Sequence, residues 1–206
     1  MVKKVILYTI LGLLILGVGW FANEFRKLRA EMFEVTLTKD EYIQGNPDGD
    51  LTIVYFSDYE CPACREFHPI LSEAVKEDGN VKLVQRPSAK KEWFLKLTAS
   101  VYAAGKQNKF SEMNTLIIEN WPIFSEEKLF TLAQTLDLDV KKLSRDMNGH
   151  EIKQEIATNR DYLKLWNLPG FPALVIWPKK ILLPAKADSM SKERLLDEFK
   201  DARSFF

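Results

Sequence analysis

Leu51-Thr52-Ile53-Val54-Tyr55-Phe56-Ser57-Asp58-Tyr59-Glu60-Cys61-Pro62-Ala63-Cys64-Arg65-Glu66-Phe67-His68-Pro69 is the stretch whose reading decides the fold. Leu51 to Phe56 is a short run rich in β-branched and aromatic side chains, which predicts a buried strand. From Pro62 the pattern changes. Phe67, Ile70, Leu71, Ala74 and Val75 fall near helical spacing, so a helix is predicted from Pro62 to about Glu77, stopped by Gly79-Asn80. Cys61 and Cys64, at the junction, are the only cysteines in 206 residues. A structural disulfide framework uses more cysteines, spread along the chain, so this pair implies redox chemistry or metal binding.

Disulfide exchange needs a thiolate to attack and a second thiol to resolve the mixed disulfide. The spacing supplies both. Cys61 is predicted at the helix N-cap and Pro62 at the first helical position, where the missing N–H of proline costs nothing. The free N–H groups of Ala63 and Cys64 then point at the Cys61 sulfur, and with the helix dipole they favour its charged form. Cys64, one turn inside, is the shielded thiol. Glu60 and Asp58 oppose a negative sulfur if ionised near it. Asp58 is also a candidate proton acceptor for Cys64; the alternative is a solvated turn aspartate. Zinc sites use the same cysteine spacing. His68 and His150 are the only histidines, and Cys-x2-Cys-x3-His would be the local set. The strand before the motif, the helix after it and Gly170-Phe171-Pro172 far downstream favour redox use. His68 is read as a helix-surface residue. No metal and no cofactor are expected.

Outward from the motif, Gly45-Asn46-Pro47-Asp48-Gly49-Asp50 is a dense turn cluster. Val81 to Gln85 predicts a second strand. From about residue 89 to 166 the apolar spacing is helical nearly throughout, with Ser125 and two following glutamates a good helix start. Gly170 to Trp177 predicts another strand, Pro178-Lys179-Lys180 a turn, and Ile181-Leu182-Leu183 its hairpin partner. Ser191 caps a last helix to about Arg203. Strands interleaved with helices argue for an α/β fold with a mixed sheet.

Val5 to Ala22 carries no charge over 18 residues. As a helix it spans about 27 Å, close to the hydrocarbon thickness of about 30 Å. Lys3 and Lys4 precede it and Trp20 lies near its far end. An uncleaved anchor is expected, because Trp20 is too large for the position before a cleavage site at Ala22. The expected organisation is therefore an anchor over 1–22, a juxtamembrane spacer over 23–44 and a domain over 45–206, set outside the cytoplasm on the inner membrane. The basic residues on the two sides of the apolar run do not decide the orientation. Charges balance at 29 basic and 29 acidic residues, interspersed, so nucleic acid is not an expected partner.

The stretch Gly45-Asn46-Pro47-Asp48, then Ile53 to Pro69, resembles the DsbA-like branch of the thioredoxin superfamily. Ala103-Ala104-Gly105-Lys106-Gln107-Asn108-Lys109-Phe110 is similar to that branch's helical insert, and Gly170-Phe171-Pro172-Ala173 to its cis-proline loop. The resemblance implies a thioredoxin-like mixed sheet with a helical insertion, here preceded by one N-terminal transmembrane helix. It implies that Cys61 attacks, that Cys64 resolves and that Pro172 is cis, with the Phe171 backbone pairing with an extended substrate. Tyr59 and Phe171, flanking the two motifs, are the expected groove residues. Phe171 and Ala63 depart from the family's usual residues, which leaves the direction of electron flow open. The function expected is a membrane-anchored thiol–disulfide oxidoreductase, monomeric, acting as a dithiol oxidase on exported protein thiols and recycled by a membrane redox partner. A reductase or isomerase of the same fold, and a non-catalytic binding or metal-chaperone protein, are the alternatives.

Overall fold

In the computed structural model, which describes residues 2–177, 180–183 and 190–204 and all their side chains except those of 2–7, 9, 28, 31, 32 and 180, the first helix stands apart. This helix, α1, runs Val2–Glu34 and belongs to a unit of its own, Met1–Val35; every later element belongs to a second unit, Thr36–Phe206. The anchor expected over 1–22, and with it the transmembrane helix and the inner-membrane location, is corrected: among the described residues no helix is long and apolar enough to cross a membrane. The uncharged stretch ends at Asn23, and the same helix runs on through Glu24, Arg26 and Lys27. The helix also continues without a break through most of the expected spacer.

The second unit begins with a short 3-10 turn, Asp40–Tyr42, and strand β1, Ile43–Gly45. There follow β2 (Leu51–Asp58), α2 (Pro62–Asp78) and β3 (Val81–Ser88), then five helices: α3 (Glu92–Gly105), α4 (Phe110–Glu119), α5 (Glu126–Gln134), α6 (Val140–Met147) and α7 (His150–Leu165). The chain returns to the sheet with β4 (Ala173–Ile176) and β5 (Lys180–Leu182) and closes with α8 (Lys192–Arg203). The sheet order is β1-β3-β2-β4-β5. β2 and β3 pair in parallel from Leu51 opposite Val81 to Asp58 opposite Ser88, the crossover between them being α2. β1, β4 and β5 are all antiparallel to their neighbours. The mixed sheet and the helical insertion thus form as expected. Pro178 and Lys179, read as the hairpin turn, lie outside the described residues.

Burial explains the pattern. Strand side chains alternate between faces. Leu51, Ile53 and Tyr55 of β2, with Val81 and Leu83 of β3, meet Phe67 and Leu71 of α2 and Leu195 and Phe199 of α8 in one core. The insertion has a core of its own, built on Leu97 and Tyr102 of α3, Phe110, Met113 and Ile117 of α4, and Leu143 of α6. Each large apolar side chain so buried contributes about 1.5–3 kcal/mol. A buried arginine joins the insertion to the sheet. Arg86 of β3 donates to Asn159 Oδ1 of α7 at 3.4 Å and to the Leu37 carbonyl, and its guanidinium lies 5.0 Å from the Tyr162 ring centre and 3.6 Å from the Glu155 carboxylate. Asn159 in turn donates to the Pro87 carbonyl and to the Tyr102 hydroxyl. A buried charge is tolerated when it is paired and hydrogen-bonded in this way.

The local stop signals act as read. Gly79 ends α2 in the left-handed region at φ +72°, and its N–H bonds the Val75 carbonyl. Ser125 and Ser191 cap α5 and α8 by accepting from Lys128 N and Arg194 N. β1 lies within the expected spacer and its turn border. Its last residue, Gly45, sits at φ +84°, where a Cβ would stand 2.5 Å from the Val81 carbonyl oxygen.

Arg203 of α8 makes two bonds of 2.7 Å to the Asp78 carboxylate at the end of α2 and one to Asp50. The hydrogen bonds from Arg203 hold the Asp78 carboxyl below the usual carboxylate range. A carboxylate depressed in the folded state stabilises above its unfolded pKa and loses that stabilisation as pH falls through the folded value. Arg203→Met should therefore cost about 1–2 kcal/mol in urea unfolding at pH 7. The difference from the unsubstituted protein should shrink as the pH drops below about 4.

Candidate active site

The site is assembled where β2 ends and α2 begins. The Cys61 N–H donates to the Asp58 carbonyl at 3.1 Å, closing a turn, and Cys61 takes the N-cap position with extended backbone. Its sulfur accepts the Cys64 N–H at 3.3 Å, one of the donors that no helix carbonyl can reach. Pro62 is the first helical residue. Both cysteines are free thiols, Cys61 partly exposed and Cys64 only 2% exposed. Opposite them, the Phe171–Pro172 peptide is cis. The Cys61 thiol points at the Phe171 carbonyl oxygen, 3.6 Å away. Motif and proline loop, far apart in sequence, are thus brought together.

Burial divides the two thiols chemically. It pushes the Cys64 thiol far up, and the hydrogen bond with Cys61 adds to this, against the Asp58 N–H facing the sulfur. Cys64 therefore holds its proton at neutral pH. Burial also raises the Asp58 carboxyl, and the Glu60 charge adds to it, while the Glu60 N–H at 2.8 Å and Lys90 and Lys91 oppose. Asp58 is 8% exposed, so it is not the solvated turn residue that was the alternative. Glu60, expected to repel a negative sulfur, is paired with Lys91 across the surface.

Two sequence expectations change. Tyr59 is 3% exposed and its hydroxyl donates to Asn114 Oδ1 of α4 at 2.5 Å. It faces the insertion core, so its side chain holds the loop from inside and does not line a substrate groove. His68, read as a surface residue, is 2% exposed. Its ring stacks on Tyr55 of β2 and shares a pocket with Ile118 of α4, neighbours that helical spacing alone does not give. Arg65 carries no signal in the sequence pattern. Its Nη1 donates to the Tyr59 carbonyl at 2.6 Å, and its guanidinium lies 4.1 Å from the Trp121 ring centre. An arginine one residue after the second cysteine was the only trace of this in the sequence. Phe171 stays half-buried, and Pro172 is buried. Among the described residues no group of three or more His, Cys, Asp or Glu side chains could hold a metal ion; His150 is the first residue of α7.

The thioredoxin family model matches residues 37–197. The chain belongs to the thioredoxin family. The match takes in both cysteines, the whole insertion and the proline loop. The DsbA thiol:disulfide interchange protein of Burkholderia cepacia is 27% identical over 150 residues, 70% of this chain and 71% of that protein. Among solved structures, the thiol-disulfide exchange protein alpha-DsbA2 of Wolbachia pipientis superposes with a TM-score of 0.75 at 18% identity, covering 87% of this chain and 96% of that one. At that identity the likeness shows the fold, a DsbA-like thioredoxin fold. The Na(+)/H(+) antiporter NhaA 1 of Salinispora arenicola is 25% identical over 139 residues, 66% of this chain but 21% of the antiporter. The chain thus spans about a fifth of the length of that curated relative.

The difference in exposure predicts order of reaction. Iodoacetamide at pH 7 should alkylate Cys61 of the reduced protein at least about ten times faster than Cys64, read by peptide mass mapping, and unfolding in urea should bring the two rates together. Equal rates in the folded protein would contradict the geometry.

Proposed function

We propose that this protein is a thiol–disulfide oxidoreductase acting on protein thiols and disulfides, with Cys61 as the attacking and Cys64 as the resolving residue. One observation carries the reading: the Cys61 sulfur lies between the Cys64 N–H at 3.3 Å and the Phe171 carbonyl at 3.6 Å, at the mouth of a helix and beside a cis proline. The site so formed is open on the Cys61 side and closed on the Cys64 side.

The chemistry follows from that asymmetry. From the reduced state, the Cys61 thiolate attacks a substrate disulfide. A Cys61–substrate bond forms, the substrate S–S bond breaks, and the leaving sulfur takes the electron pair. Cys64 then loses its proton and attacks Cys61 Sγ, forming the Cys61–Cys64 disulfide and releasing the second substrate sulfur. Asp58, buried and next to the Cys64 sulfur, is the proton acceptor in this step. Run in reverse, from the Cys61–Cys64 disulfide, the same steps oxidise a substrate dithiol. Phe171 and Pro172 serve the substrate. The Phe171 backbone receives an extended segment, and the Phe171 ring supplies the apolar side of the contact. The first turn of α2 supports the negative sulfur of Cys61 through the Cys64 N–H.

The test separates the two thiols. Cys61→Ser should abolish exchange with the disulfides of insulin. Cys64→Ser should still attack but fail to resolve, so that a covalent Cys61–insulin adduct accumulates and is released by dithiothreitol. Exchange retained in Cys61→Ser, or adducts on Cys64, would sink the proposal.

A further inference from the structure

Two cavities meet at His68. An open groove of about 890 Å³ lies between α2 and α4, with Ser72, Thr115 and Leu116 among its lining residues. Beside it, a small pocket of about 10 Å³ is the least that holds one water. Cys64, Asp58, Ser57 and Tyr55 line this small pocket. His68 and Ile118 alone line both.

The two nitrogens of His68 differ. Nε2 is 3.3 Å from Ser72 Oγ, on the groove side. Nδ1 is buried and has no hydrogen-bond partner among the described protein atoms. Buried polar atoms are rarely left so, and a water in the small pocket, with the polar groups of Asp58, Ser57 and Tyr55 about it, has the partners it needs. The ring is held in place by stacking on Tyr55 at 6.2 Å, and the Tyr55 hydroxyl donates to the Cys64 carbonyl.

We infer that His68 is a positioning residue for proton transfer, linking the buried Cys64 thiol, through one water and the imidazole, to the solvent-filled groove. The inference rests on the exchange reading above. As Cys64 attacks the mixed disulfide, its proton passes to the cavity side, shared by Asp58 and the water, and on to His68 Nδ1. His68 gives up its Nε2 proton through Ser72 to groove water, and a shift of the imidazole back to its first tautomer resets the path. The net change is one proton moved from Cys64 to solvent while the Cys61–Cys64 bond forms and the substrate sulfur leaves with its electron pair. Burial lowers the imidazole pKa to about 4, so His68 passes the proton on at neutral pH and does not store it. The titratable and charged groups facing this path are few. Tyr55, Asp58, Tyr59, Cys64 and Arg65 line the small pocket. On the groove side are Glu73 and Lys76 of α2 and Glu112 and Glu119 of α4.

The experiment mixes reduced protein with glutathione disulfide and follows, by acid quench and mass, first the Cys61–glutathione adduct and then its resolution by Cys64. His68→Gln keeps a buried polar side chain but cannot pass a proton between two ring nitrogens. It should leave adduct formation unchanged and slow resolution about ten-fold or more at pH 6. The gap should narrow as pH rises and hydroxide takes the Cys64 proton directly. Ser72→Ala, which leaves the core intact, should show a smaller loss with the same pH trend. Resolution unaffected in both variants, or slowed equally at every pH, overturns the relay. Failure of the unsubstituted protein to form any adduct on Cys61 overturns the exchange reading and the relay with it.

Discussion

The first turn of a helix presents N–H groups that the helix itself cannot satisfy, and in α2 one of these is taken by the sulfur of Cys61. Much of the architecture serves to make that contact possible. It requires Cys61 at the N-cap, so β2 must end and turn within three residues, which the bond from Cys61 N–H to the Asp58 carbonyl achieves. It requires α2 to be rigid against the sheet, which Phe67, Leu71, Ala74 and Val75 provide by packing on β2 and β3. It also requires the loop to stay in place when the sulfur reacts. Arg65 bonds the Tyr59 carbonyl from the helix, while Tyr59 bonds Asn114 from below.

From that contact follows the separation of the two thiols. Cys61, at the cap, faces outward toward the Phe171 carbonyl; Cys64, one turn in, faces the low-dielectric interior. The same burial that shields Cys64 from premature reaction makes its proton hard to remove. A resolving thiol so placed needs a local route for that proton. Asp58 is held neutral more readily than an exposed carboxyl by its own burial, and His68 stands on the far side of the same small cavity. The acid, the thiol and the imidazole are brought together because β2 and α2 are adjacent in sequence and packed face to face.

The parts of this that depend on local pattern were legible in the sequence. The strand at Leu51, the helix start at Pro62, the stop at Gly79 and the caps at Ser125 and Ser191 each rest on a residue type at a fixed offset. The cis proline was reached through the resemblance and not through spacing. What was not legible depends on a second helix covering the first. Helical spacing puts His68 off the apolar stripe of α2; in the fold its ring stacks on Tyr55 of β2 and shares a pocket with Ile118 of α4. Tyr59 reads as a loop aromatic until Asn114, far away in sequence, supplies a partner for its hydroxyl. Arg86 lies one residue past the strand predicted over Val81 to Gln85 and nothing in the pattern marks it; the ring of Tyr162 and the side chains of Asn159 and Glu155 around it come from α7. β1 is too short for alternation to reveal, and it is defined by the edge of β3. The apolar run after Lys4 belongs to a longer helix, Val2–Glu34, whose continuation through Glu24, Arg26 and Lys27 the hydropathy of the run does not reveal.

The insertion is therefore part of the site and not a cover laid over it. A chain of side-chain hydrogen bonds runs from Tyr59 to Asn114, from Asn114 to Gln85 and from Gln85 to Gln44, crossing from the cysteine loop through α4 and β3 to the edge strand. Each member is buried or half-buried, so loss of any one leaves its neighbour unpaired in a place where water is scarce, at about 1–3 kcal/mol. Tyr59 and His68 both meet α4, the first through Asn114 and the second beside Ile118. By supplying Asn114 and Ile118 from one helix, the insertion fixes the loop before Cys61 and lines the pocket beside Cys64 at once. The position of the attacking sulfur and the environment of the resolving one are thus set by the same packed surface between α2 and α4.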